Sequence, residues 1–245
     1  MKLVKDVYMV GSGQFGLSDA LDCHAYLLDG GGECALLDAG AGREPQRLIE
    51  NLRADGWVEG PIAWILLTHA HADHAGGGAA WRRALPSIRI AASAETAPWL
   101  AAADEEATSV DRARAAGLYP ADYRLEPFEV DRTLTPGETL RIADLDFQAI
   151  PSPGHAAGHL AFLVEVDQAA TLFSGDALFP AGRILLQDTW DCDLHEALRS
   201  VERLAGLGAD RLLAGHLEPV VSSAAAHFAA AIERIARLSV PASIA

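Results

Sequence analysis

The sequence predicts an α/β protein, and three observations support this fold class. Short apolar runs typical of buried strands alternate with segments whose apolar residues recur at helical spacing. Residues that can bind metal follow several of these runs, at the position where open α/β sheets place their sites. The chain has 245 residues and is 50% hydrophobic, so we expect one domain over residues 1–245 with a large core.

The first half of the chain opens with strands and continues with alternating helices and strands. The predicted strands are 3–10, 24–29, 33–38, 62–67 and 88–92, and the predicted helices are 43–55 and 74–85. Gly30-Gly31-Gly32 predicts a hairpin between the second and third strands. Residues 94–123, rich in alanine and charged residues, predict a two-helix insert.

The second half repeats this mixture. The predicted strands are 139–150, 159–166, 170–174 and a run that ends at 214, and the predicted helices are 193–206 and 223–238. This periodicity indicates only a mixture of helices and strands. It does not determine how the sheets are arranged.

The most informative segment is Thr68-His69-Ala70-His71-Ala72-Asp73-His74, directly after a predicted buried strand. In a turning loop, His69 and His71 project to the same side and can hold one ion, while Asp73 and His74 can face a second. The glycines at 76–78 allow the backbone to approach such a site closely. A helix N-terminus with coincidental histidines is the alternative, and so dense a cluster argues against it.

Three later segments each carry one further candidate ligand. His155 lies in a turn before a strand, Asp176 follows an apolar strand, and His216 follows another. Taken singly, a histidine after a glycine is more often a turn or core residue. Together and in this order, the three residues predict a metal centre at the carboxyl ends of several strands.

The ordered set His-x-His-x-Asp-His, Gly-His, Gly-Asp and Gly-His resembles the metallo-β-lactamase-fold hydrolase superfamily over nearly the whole chain. The resemblance implies an αββα sandwich of two mixed β-sheets flanked by helices. It also implies two divalent metal ions, with Zn as the first expectation and Fe or Mn as alternatives. The implied ligands are His69, His71 and His155 for one ion, Asp73, His74 and His216 for the other, and Asp176 as the bridge.

Within this superfamily, residues 153–159 and 173–179 look most like the glyoxalase II branch, which hydrolyses thioesters. The resemblance implies that a metal-bridging hydroxide attacks a thioester or ester carbonyl, with Asp73 as the catalytic residue that orients it. Lactonases of this fold carry a tyrosine where this chain has Leu178 and Phe179, so a lactone substrate is an alternative without that residue's support.

Two other function classes remain as alternatives. A persulfide dioxygenase of the same fold would use one iron held by the residues corresponding to His69, His155 and Asp176, and would consume oxygen. A non-catalytic metal-binding protein would show no turnover, although the full ligand set and the open glycine-rich rim argue against it. Metal content per chain separates the hydrolase from the dioxygenase.

Five residues are predicted to support the ligands or contact substrate, namely Asp38, His159, Trp99, Tyr119 and Tyr123. Asp38 can hydrogen-bond a ligand histidine or instead cap a helix. His159 can hydrogen-bond a ligand or the insert, or simply begin a strand. The three aromatic residues line an acyl pocket if the insert caps the active site. Otherwise, they anchor a solvated helical linker.

Composition limits the partners. A net charge of −15 with 19 basic residues argues against nucleic acid, which needs clustered Lys and Arg, so we expect a small-molecule substrate. The absence of a bilayer-length apolar run and of a secretory signal favours a cytoplasmic protein without membrane contact. The three cysteines are expected to be reduced thiols. A homodimer is left open.

Overall fold

The computed structural model of the protein describes residues 1–54, without the side chain of Leu52, and residues 61–244. They form two compact units, Met1–Leu134 with Ile142–Asp144, and Thr135–Arg141 with Leu145–Ala245. Each unit contains one mixed β-sheet and several helices, which confirms the α/β prediction. A single domain over residues 1–245 stays a prediction.

The sheet of the first unit contains seven strands among the described residues. They are β1 (Lys2–Val4), β2 (Val7–Gly11), β3 (Ala25–Asp29), β4 (Cys34–Leu37), β5 (Ile62–Leu66), β6 (Arg89–Ser93) and β7 (Arg132–Leu134), in this spatial order. Pairing is antiparallel from β1 to β4 and parallel from β4 to β7. The carboxyl ends of β4 and β5 therefore lie side by side, which places Asp38 next to the segment that follows β5.

The sheet of the second unit contains five strands within the described ranges. They are β8 (Thr139–Ile142), β9 (Leu145–Pro151), β10 (Leu160–Val166), β11 (Ala169–Gly175) and β12 (Arg211–Ala214), in the spatial order β12-β11-β10-β9-β8. β11 and β12 are parallel, whereas β10 is antiparallel to both of its neighbours. The parallel pair brings the residues that follow β11 and β12, Asp176 and His216, to one edge of this sheet.

Seven α-helices accompany the sheets in the part of the chain that the structure describes. They are α1 (Pro45–Ala54), α2 (Ala72–Ala75), α3 (Gly78–Ala84), α4 (Ala97–Ala102), α5 (Val110–Ala115), α6 (Leu194–Ala205) and α7 (Ala225–Ala236). α4 and α5 lie in the segment predicted as a two-helix insert. The predicted end of the first helix, at residue 55, lies outside the described residues.

Each unit has its own apolar core. In the first unit, Leu36, Ile65 and Ile90 from neighbouring strands pack with Trp81 of α3. In the second unit, Leu172 and Leu212 pack with Phe228 of α7. Because these strands are buried on both faces, their sequences are nearly continuous apolar runs, which is why they could be predicted.

Three element boundaries differ from prediction, and each difference has a local cause. The predicted strand 3–10 is a hairpin, because Asp6 adopts a left-handed φ of 62° between β1 and β2. The predicted strand 139–150 is likewise divided at Ala143, where φ is 48°. The predicted helix 74–85 is two helices, since α2 ends before Gly76 and α3 begins at Gly78. β7 was not predicted, because three residues are too few to show a pattern.

The length and polarity of the helices decide whether one could cross a membrane. Among residues 1–54 and 61–244, every helix is too short or too polar to do so.

Candidate metal-binding sites

The candidate ligands of the first unit lie on the segment Thr68–His74, which we call the metal loop. Its backbone is extended at His71, with φ −62° and ψ 145°, and then enters the one-turn helix α2. This turn separates two pairs of side chains, His69 with His71 and Asp73 with His74. The loop therefore has the local shape that its sequence predicted.

His69 and His71 point nitrogen atoms at each other. The Nε2 of His69 lies 3.1 Å from the Nδ1 of His71, and both side chains are buried. The other nitrogen of His69, Nδ1, lies 3.0 Å from the Thr68 hydroxyl. Two imidazole nitrogens at this separation can share a proton or act as two ligands of one ion.

Asp73 and His74 form the second pair of the metal loop. The Nε2 of His74 lies 3.4 Å from Oδ2 of Asp73. On the opposite side of the ring, the Nδ1 of His74 lies 2.8 Å from Oδ2 of Asp38. Because Asp38 holds the Nδ1 proton, Nε2 is the nitrogen that remains as a ligand beside Asp73.

Asp38 is the centre of a buried hydrogen-bond network. Its carboxylate accepts hydrogen bonds from the backbone N–H of Thr68 at 2.8 Å and from the Thr68 hydroxyl at 2.9 Å, in addition to His74. Its own backbone has a left-handed φ of 61°. The contact with a candidate ligand histidine is the one predicted for Asp38, while its role as support for a bound metal stays a prediction.

The candidate ligands of the second unit converge on one carboxylate oxygen. Oδ2 of Asp176 lies 3.6 Å from the Nε2 of His155 and 3.4 Å from the Nε2 of His216. A hydrogen bond of 2.9 Å from Gly215 N–H to the Gly175 carbonyl fixes the two strand ends that carry Asp176 and His216. A role for Asp176 as a bridge between two ions stays a prediction.

His155 is oriented by the backbone. Its Nδ1 lies 3.2 Å from the carbonyl oxygen of Leu185, which accepts a hydrogen bond from the Nδ1–H and leaves Nε2 facing Asp176. The turn before it passes so close to α6 that a Cβ on Gly154 would collide with the backbone nitrogen of Ala197. The φ of Gly154 is +126°, so glycine is required here on both grounds.

His159 contacts a candidate ligand through the backbone. Its Nε2 accepts a hydrogen bond of 3.1 Å from the backbone N–H of Asp176, and its Nδ1 lies 2.8 Å from the Ser152 hydroxyl. The first bond requires a neutral Nε2, so the proton resides on Nδ1 and is donated to Ser152. His159 therefore holds the backbone of Asp176 in place.

The aromatic residues of the insert contact the body of the first unit. Trp99 packs against the first-unit core, and the Tyr123 hydroxyl donates to the Ala41 carbonyl at 2.9 Å. Tyr119 donates to Oδ1 of Asp73 at 3.0 Å and accepts from the Asp73 N–H at 3.1 Å. Burial and then the Asp73 charge raise the pKa of Tyr119 well above its ordinary value, so the phenol remains a donor. Lining of an acyl pocket by these residues stays a prediction.

Several contacting residues were not singled out from the sequence. Thr68, Ser152 and the Leu185 carbonyl each hydrogen-bond a candidate ligand or its support. Thr68 could have been found from its place directly before the first histidine, but a backbone carbonyl carries no side-chain signal. Cys23 places its sulfur within 4.8 Å of ligand atoms of Asp38 and His74, and burial raises the pKa of its thiol. Cys23, Cys34 and Cys192 are all free thiols, as predicted.

The donor atoms in each unit fit a divalent metal. Imidazole nitrogens and carboxylate oxygens suit zinc, iron or manganese, and His74 and His155 each have the second ring nitrogen held by an oxygen acceptor. That support is what metal-binding histidines ordinarily have.

A match to a protein-family model identifies the family of the chain. The model described as the metallo-beta-lactamase superfamily matches residues 18–216, from the loop before β3 to the last candidate ligand. The chain belongs to the metallo-beta-lactamase superfamily.

Two proteins similar to this chain have names that state an activity. The chain is 26% identical over 211 residues to an atrochrysone carboxyl ACP thioesterase from Aspergillus fumigatus, covering 86% of this chain and 55% of the relative. It is 30% identical over 215 residues to a hydroxyacylglutathione hydrolase from Methylococcus capsulatus, covering 86% of this chain and 68% of the relative. The chain thus spans only about half to two thirds of the length of these relatives.

The same fold occurs in solved structures of the superfamily. A metallo-beta-lactamase with a HARLDQ motif from Cronobacter sakazakii matches with a TM-score of 0.71 at 21% identity, over 95% of this chain and 90% of that chain. At this identity the match informs on fold alone. It confirms the prediction of two mixed sheets with flanking helices in the metallo-β-lactamase fold.

Proposed function

We propose that this superfamily member is a metal-dependent hydrolase of thioesters or esters that uses two divalent ions. The proposed ligands are His69, His71, Asp73, His74, His155, Asp176 and His216. The relatives support the reaction class, since one is named a thioesterase and the other a hydrolase of a glutathione conjugate. The net charge of −15 supports a small-molecule substrate over nucleic acid.

The observation that carries this proposal is the pairing of donor atoms inside the metal loop. His69 Nε2 and His71 Nδ1 form one pair at 3.1 Å, and His74 Nε2 and Asp73 Oδ2 form the other at 3.4 Å. The two pairs are adjacent, since the rings of His69 and His74 lie 4.1 Å apart between centroids, and two adjacent pairs of donors on six residues favour two neighbouring ions over one. In the second unit, the position of Asp176 Oδ2 beside both His155 and His216 favours a shared ligand.

Divalent ions held by these residues would supply a hydroxide near neutral pH and would polarise a carbonyl oxygen. The protein's own groups fix the geometry for that chemistry. The Asp38 carboxylate and the Leu185 carbonyl accept hydrogen bonds from the Nδ1–H groups of His74 and His155. These bonds keep the proton on Nδ1, so each Nε2 remains available as a ligand. With the ions bound, Asp73 would orient the attacking water and would accept its proton through a carboxylate oxygen.

The proposal is tested by metal analysis and a substrate panel on protein purified without added metal. We expect about two ions per chain and turnover of acyl-glutathione or acyl-coenzyme A thioesters, assayed beside p-nitrophenyl esters, acyl homoserine lactones and a β-lactam. His71→Ala should lower kcat/KM about a thousandfold, because metal catalysis contributes several kcal/mol. His195→Ala, on the exposed face of α6, is the matched control and should retain full activity.

Other outcomes would overturn the proposal. One iron per chain with oxygen uptake on glutathione persulfide would indicate the dioxygenase. Two ions with turnover of lactones alone would indicate a lactonase. Metal binding without turnover on any member of the panel would indicate a non-catalytic protein. A cytoplasmic location stays a prediction.

A further inference from the structure

Tyr119 links the insert to the metal loop by two hydrogen bonds to one residue. Its hydroxyl donates to Oδ1 of Asp73 at 3.0 Å and accepts from the backbone N–H of Asp73 at 3.1 Å. A phenol that uses both its donor and its acceptor on the same residue fixes that residue's side chain and backbone together. This is a more specific contact than packing of a linker requires.

The two oxygens of Asp73 are thereby distinguished. Oδ1 accepts from Tyr119, whereas Oδ2 lies 3.4 Å from the Nε2 of His74. Rotation about the Cβ–Cγ bond would exchange the two oxygens or move both away from His74. The hydrogen bond to Tyr119 opposes this rotation, because the rotation would break the bond.

Tyr119 is itself held by its surroundings. Backbone N–H groups of Leu118 and Tyr119 donate to the carbonyl of Ala113 in α5, at 2.9 and 3.4 Å. The Tyr119 ring lies 5.1 Å from the ring of Tyr123, between centroids. The insert therefore presents the Tyr119 hydroxyl to Asp73 from an anchored position.

We propose that Tyr119 is a positioning residue that holds Oδ2 of Asp73 beside the Nε2 of His74 and so sets the affinity for the ion these two residues bind. This inference rests on the proposed function, because it needs a second ion. It gives the insert a role in metal binding instead of, or beside, contact with substrate.

Tyr119→Phe tests this inference, with Tyr123→Phe as the matched control. Both changes delete one hydroxyl of the same ring pair, but the Tyr123 hydroxyl bonds the Ala41 carbonyl, which belongs to none of the candidate ligands. Chelated protein is titrated with Zn²⁺ against a competing chromophoric chelator, and both stepwise dissociation constants are fitted. Thermal unfolding of the metal-free variants confirms that each is folded.

We expect Tyr119→Phe to raise the dissociation constant of the second ion, the one that Asp73 and His74 bind, at least about tenfold, because loss of a group that orients a metal ligand ordinarily costs this much. The dissociation constant of the first ion should rise less than about twofold. Tyr123→Phe should leave both constants within about twofold. In an Asp73→Asn background, Tyr119→Phe should have little further effect on the second constant, since its action passes through Asp73.

Three outcomes would overturn the inference. Wild-type affinity for both ions in Tyr119→Phe would do so directly. Equal weakening by Tyr119→Phe and Tyr123→Phe would show a general loosening of the insert. Uptake of only one ion by the unmodified protein would overturn the two-ion proposal as well, so the unmodified titration separates failure of that proposal from failure of this one.

Discussion

The two units orient their candidate ligand histidines by different means. In the first unit, His74 is held by the Asp38 carboxylate, which also binds Thr68 twice. In the second unit, His155 is held by the neutral Leu185 carbonyl, and Asp176 by the neutral ring of His159. One unit thus relies on a buried carboxylate and the other on backbone placement.

This difference indicates which substitutions should disturb the candidate ligands of each unit. A hydrogen bond to a carboxylate is stronger than one to a neutral acceptor, but a buried carboxylate is costly when its donors are lost. A backbone carbonyl cannot be deleted by substitution, so its position depends on close packing such as that at Gly154. We therefore expect the first unit to be sensitive to polar substitutions and the second to changes in volume.

The largest effect is expected for Asp38→Ala. Removal of the carboxylate leaves the Thr68 N–H and the His74 Nδ1 buried without this acceptor, so the free energy of unfolding should fall by about 3–5 kcal/mol. Denaturant unfolding of chelated protein measures it, so that metal affinity does not contribute. Asp38→Asn is the control: it keeps an acceptor oxygen and tolerates the φ of 61°, and should lose less. A loss below about 1 kcal/mol for Asp38→Ala would contradict the comparison.

Gly154→Ala should give the next largest effect, in the second unit. The new methyl group would collide with the Ala197 backbone, and φ is +126°, so we expect a loss of about 2–4 kcal/mol. Gly208→Ala provides a matched control in the same unit, because φ is +67° and nothing lies within 4 Å of its added Cβ. Equal losses for the two variants would mean that backbone strain, and not packing against α6, accounts for the effect.

The smallest effect concerns the pH dependence that a buried carboxylate brings to the first unit. Burial raises the pKa of Asp22, which accepts a hydrogen bond from Ala41 N–H at 2.7 Å. Because the pKa is higher in the folded state, stability falls as pH rises from the ordinary value of 3.8 toward the raised one. Asp22→Asn lacks this penalty, so its stability relative to the unaltered protein should increase between pH 4 and pH 7. A constant difference across this range, in parallel denaturant titrations, would contradict the expectation.

Prediction from sequence succeeded where the signal was local. The spacing within His69–His74 fixed the pairing of side chains, and the position of Asp38 at a strand end indicated its contact with a ligand histidine. It failed at the turns of Asp6 and Ala143, because neither residue type marks a left-handed turn strongly. It predicted that Tyr119 supports the ligands or contacts substrate, but not that its hydroxyl bonds Asp73, 46 residues away, and the substrate contact stays a prediction.

The sequence by itself determined the superfamily, the α/β class and the candidate ligands, because these depend on residue types at short, fixed spacings. The tertiary structure decided which atom of each candidate ligand forms a hydrogen bond and which group is its partner. Asp38 retains the Nδ1 proton of His74, Leu185 that of His155, and Tyr119 selects Oδ1 of Asp73. These contacts depend on strand register and on the path of loops that are distant in sequence. A backbone carbonyl or a remote hydroxyl therefore gives no sequence signal near the ligand that it orients.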